Sequence, residues 1–96
     1  MDKFRNKINK AIILCEVELK NRENGTPGES SVEQLKIILN ELNQVLIKLE
    51  NQNFPETGKR FLHSFANAFT VWGWNMQNPT ELFVLLTEIN NEYKEL

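Results

Sequence analysis

The chain has 96 residues, of which 41% are hydrophobic and 25% charged, with a net charge of −2. That length predicts one domain, 1–96, with enough apolar surface for a three- or four-helix core, and the composition is not that of a disordered chain. The charge excludes a general attraction to nucleic-acid phosphates or anionic lipid, and no apolar run approaches the ~18 residues of a membrane span. A lone Cys15 cannot form an internal disulfide, and the charged amino end lacks a signal-peptide pattern, so a cytoplasmic address is the default expectation.

Residues 2–23 read as a first helix, with Phe4, Ile8, Ala11, Ile12, Cys15 and Leu19 on one stripe and Ile13 and Val17 widening it. The wide face predicts contact with two neighbours, in preference to a flank left for a partner. Cys15 falls on the apolar stripe and reads as a small buried hydrophobe, because a thiol without a nearby base and away from water is inert. Asn24-Gly25-Thr26-Pro27-Gly28-Glu29-Ser30 is a connection rich in helix breakers. It lacks the Gly-Lys-Ser/Thr and the preceding strand of a phosphate-binding loop.

Ser30 and Glu33 have the spacing of a capping box and start a second helix, about 31–52. Val32, Leu35, Ile38, Leu39, Leu42, Val45, Leu46 and Leu49 form its apolar face, while Ile37 and Ile47 lie off it and predict a further neighbour. The leucine seam is too short for a sustained zipper, so packing within the chain is expected. Pro55 ends this helix and opens a third, about 56–72.

The third helix holds much of the stretch 61–76, which contains five of the nine aromatic residues. Phe61, Phe65, Phe69 and Trp72 recur at helical spacing and are expected in the core. Trp74, Asn75 and Met76 follow Gly73 and fall off that repeat. A fourth helix, about 79–95, is announced by Asn78 as cap, Pro79 at the first helical position and Glu81 at the third. Its apolar face is Leu82, Leu85, Leu86, Ile89, Tyr93 and Leu96, with Phe83 to one side. The expected architecture is all-α, a compact antiparallel four-helix bundle.

Charge is unevenly placed. Lys3, Arg5, Lys7 and Lys10 make the first helix basic and Glu81, Glu88, Glu92 and Glu95 make the last acidic, which predicts that the two pair.

Catalytic, metal and cofactor sites are not expected. His63 is the only histidine, too few for a metal centre, and Ser64 beside it points to another side of a helix. Arg60 and His63 lack the wider spacing that helical ribonucleases use, and Glu88 and Glu92 lack the histidines of a di-iron bundle. The aromatic stretch meets an acidic helix rather than a basic patch, so nucleic acid is not an expected partner. What remains is a protein-binding surface. Large apolar groups ringed by amides are the mix of interface hot spots, and Trp74, Asn75, Met76 and Glu81 are the candidate partner-binding residues.

The segments Val32-Glu33-Gln34-Leu35-Lys36-Ile37-Ile38-Leu39 and Asn78-Pro79-Thr80-Glu81-Leu82, with an early amphipathic helix, carry a resemblance over nearly the whole chain. The chain resembles the small helical immunity proteins that neutralise secreted bacterial NAD(P)+ glycohydrolase toxins. Asn78 stands where those proteins carry an acidic cap, Thr80 is an extra residue, and Leu62-His63 replaces a Leu-Gly. The resemblance implies a cytoplasmic inhibitor without enzymatic activity that binds a cognate toxin domain and blocks its nucleotide pocket. The alternatives are a helical adaptor and a self-associating structural module, in which a homodimer buries Ile13, Val17, Ile37 or Ile47.

Overall fold

The computed structural model describes residues 2–28, 30–51, 72, 74, 77 and 79–95. Three helices are found among them and no strand: α1 (Asp2–Glu23), α2 (Val32–Glu50) and α3 (Glu81–Glu95). The all-helical class is as expected. α3 is the element anticipated as the fourth helix, while the anticipated third helix, 56–72, lies outside the described residues except for Trp72.

α1 is the helix against which both α2 and α3 pack. Phe4, Ile8, Ala11 and Cys15 are buried on it, and Ile12 and Leu19 border the same core. α2 contributes Leu35, Ile38, Leu42, Val45 and Leu49, and α3 contributes Leu82, Phe83, Leu85, Leu86, Ile89 and Tyr93. Both neighbours run antiparallel to α1. Towards α2, Cys15 lies against Leu35 and Arg22 against Ser30. Towards α3, Phe4 meets Tyr93 edge-on at 6.4 Å between ring centroids, and Lys7 Nζ reaches the Glu92 carboxylate at 2.7 Å.

The basic and acidic helices pair as anticipated. Lys7 lies 3.6 Å from Glu88 as well, and Lys10 lies 2.9 Å from Glu81. The hydrogen bond that Lys7 donates to Glu92 holds its ammonium above the ordinary range; desolvation opposes this, and the Glu92 and Glu88 charges add to it.

Two helix starts differ from expectation. α2 is capped by Ser31 rather than Ser30: Ser31 Oγ accepts from the Gln34 amide, and Gln34 Oε1 accepts from the Ser31 amide, each at 3.1 Å. Glu33 therefore has no part in the box, and Ser30 is instead buried with its carbonyl accepting from Arg22. α3 begins at Glu81 with Thr80 as its cap, whose Oγ1 accepts from the Phe83 amide at 3.1 Å. The anticipated cap, Asn78, lies outside the described residues. Glu81 thus occupies the first helical position, where its charge still complements the helix dipole.

The end of α1 is a Schellman turn. Thr26 N donates to Asn21 O at 2.8 Å and Gly25 N to Arg22 O at 3.1 Å, with Gly25 at φ 90°, a conformation glycine adopts without strain. Cys15 is buried as expected, and its thiol donates to Leu35 O at 3.2 Å.

Ile13 and Val17, expected to meet a second neighbour, are exposed instead. Both neighbours of α1 are served by the stripe from Phe4 to Cys15, and Ile13 and Val17 lie on the opposite side. Ile37 and Ile47 on α2 are exposed for the same reason.

Candidate protein-binding surface

The approach to α3 is organised by Trp74. Its indole is buried, with 3% of its surface exposed, and its ring meets Phe83 edge-on at 5.7 Å and Trp72 at a tilt at 5.9 Å. The indole N–H donates to Gln34 Oε1 at 3.3 Å. The same oxygen closes the capping box of α2, so one amide ties that helix start to the segment before α3. A buried indole N–H left without an acceptor is costly, and Gln34 provides one.

Trp72 packs against the core as expected, and Trp74, a candidate for partner binding, is the more deeply buried of the two. Trp74 is therefore no free anchor for a partner; it supports Phe83 from within. Of the other candidates, Glu81 is exposed and holds Lys10, whereas Asn75 and Met76 lie outside the described residues, as do Arg60, His63 and Ser64.

Above this support lies a cavity of about 350 Å³ lined by Pro79, Phe83, Val84, Thr87 and Glu88. Val84, 43% exposed, is its open apolar wall. The Thr87 hydroxyl donates to Phe83 O at 3.0 Å, so its polar group is turned to the helix backbone. Glu88 supplies a carboxylate at the rim, half-exposed and loosely paired with Lys7. At the helical period Glu81 and Glu88 lie one turn either side of Val84 on the same side of α3, each within reach of a lysine of α1. The arrangement is an apolar slot edged by carboxylates, suited to a hydrophobic side chain followed by a cationic one.

Sequence reasoning missed this slot because Val84 is a single off-stripe residue, and its signal was the unbroken apolar run Leu82-Phe83-Val84-Leu85-Leu86. A second cavity of about 220 Å³ touches Leu14, Glu18, Arg22, Ser30, Thr80 and Leu82. Arg22 is committed there to structure. It donates to Ser30 O at 2.9 Å, to Thr26 O at 3.3 Å and to the Glu18 carboxylate. Among the described residues no three His, Cys, Asp or Glu side chains gather into a metal-binding group, and no helix is long and apolar enough to cross a membrane.

No protein-family model, curated protein or solved structure matches the chain.

Proposed function

We propose that this chain is a protein-binding inhibitor of the immunity type, which occupies a cognate bacterial toxin domain stoichiometrically, with an NAD(P)+ glycohydrolase as the expected toxin class. The observation that carries the reading is the slot at Phe83 and Val84, braced by Trp74 and edged by Glu88. It lies beside Pro79–Leu82, part of one of the segments that carry the resemblance to immunity proteins. Its apolar floor offers area to desolvate, and its carboxylates select a partner surface with positive charge. The inhibitor acts by covering the toxin, which needs no chemistry of its own.

The decisive trial is co-expression with the product of the adjacent gene. The wild-type chain is expected to rescue growth and to co-purify with that product. Val84→Asp places a charge in the slot without touching the core, and is expected to weaken the complex by about 100-fold or more at unchanged thermal stability. A wild-type chain that neither rescues nor co-purifies sinks the immunity reading. Binding without rescue would favour the adaptor reading.

A further inference from the structure

α2 carries two seams. On the inner one Leu35, Ile38, Leu42, Val45 and Leu49 are buried against the rest of the chain. On the outer one Glu33, Ile37, Asn40, Gln44, Ile47 and Asn51 follow one another at steps of four, three, four, three and four, and all six are exposed. Ile37 is 51% and Ile47 56% exposed, high for isoleucine. Such alternating steps are the spacing of a helix-pairing seam, and at about 100° per residue this one lies roughly 160° from the buried stripe.

The outer seam is its own complement when reversed. About a point level with Leu42, Ile37 falls opposite Ile47, Asn40 opposite Gln44, and Glu33 opposite Asn51. On one flank, Lys36 comes level with Glu50 to within two residues. Two isoleucine layers then enclose two amide layers that can hydrogen-bond across the seam, and each Lys36 meets an opposite charge. A parallel copy instead sets Glu33 against Glu33 at one end of the seam. We infer that the outer face of α2 is an interface between two copies of this chain, its helices antiparallel about a two-fold axis at Leu42.

The seam is too short to fold a coiled coil from free peptide, and it has no need to. α2 is already fixed by its Ser31–Gln34 capping box and its packing on α1, so association orders few groups. The dimer is weak. One helix pair covers less than the ~1,200–2,000 Å² of a standard interface, and amides at core layers select orientation at the expense of affinity. Glu41, which is engaged within its own chain, meets its counterpart on the other flank and limits affinity further.

Sedimentation equilibrium of the purified chain, carried to about 1 mM, tests this without any toxin, so its outcome is separate from the immunity trial. A reversible monomer–dimer equilibrium is expected. Ile37→Asp and Ile47→Asp should each weaken it by about tenfold or more with helical content unchanged, because each puts a charge in a desolvated layer. Lys36→Glu should weaken it, and Lys36→Glu with Glu50→Lys should restore it, since the swapped pair still meets in the antiparallel arrangement. A chain that stays monomeric throughout, a dimer indifferent to Ile37→Asp, or a charge swap that fails to restore association would each overturn the inference.

Discussion

Gln34 shows how much can rest on one side-chain oxygen. Its Oε1 accepts from the Ser31 amide at the exposed start of α2 and from the indole of the buried Trp74. Gln34→Ala is expected to cost about 2–3 kcal/mol in urea unfolding, combining a lost cap with an indole left unpaired. Gln34→Glu keeps an acceptor for both donors and should recover most of that loss. Equal destabilisation by the two changes would show that the shared oxygen is not what matters. This contact was not legible in the sequence. The off-repeat position of Trp74 marked it as unusual, but whether an indole ends up outside or within depends on finding an acceptor, here forty residues earlier in the chain.

At the scale of the element, the turn between α1 and α2 is held by Arg22 as much as by its glycines. A Cβ added at Gly28 would overlap the Arg22 guanidinium, which would then have to leave Ser30, Thr26 and Glu18 together. Gly28→Ala is therefore expected to lower stability by about 2 kcal/mol by calorimetry or urea unfolding, the scale of losing charge-assisted hydrogen bonds. In an Arg22→Ala background the same change should cost little. The helix bodies were legible because their burial follows the apolar period: α1 spans the anticipated 2–23, and the buried positions of α2 and α3 fall on the stripes read from the sequence, except Phe83, which was read to one side. Their starts were less legible. Ser30 and Ser31 are both able to cap, and so are Asn78 and Thr80 by residue type. At α2, Ser31 takes the cap where two distant contacts converge, Arg22 on the Ser30 carbonyl and Trp74 on Gln34.

For the whole molecule, the thiol between α1 and α2 sets a limit on alkaline stability. Burial, and then the charges of Glu16 and Glu18, push Cys15 up to about 12 from its ordinary 9.0. Above pH 9 the unfolded chain releases this proton while the folded chain keeps it. The unfolded state then binds fewer protons, and stability falls as pH rises towards 12. Urea midpoints measured from about pH 8 to pH 11 should decline more steeply for the wild type than for Cys15→Ala, whatever the cost of the smaller side chain at neutral pH. Parallel curves for the two would show that another group governs the decline. The charge layout of the molecule was readable in advance, because a basic first helix and an acidic last one have an obvious way to lie. The slot at Val84 was not, since it arises from which flank of α3 its neighbours leave uncovered.

The meeting of the first and last helices also bears on when the protein can fold during its synthesis. Lys7 waits for a residue 85 positions later, and Phe4 for Tyr93 in the same helix. While the ribosome is still making α3, the α3-facing side of α1 lacks that partner and its Phe4 ring lacks the edge-on contact. The amino-terminal end of α1 is thus completed only once α3 has emerged, so closing this part of the core waits on contacts of high sequence separation.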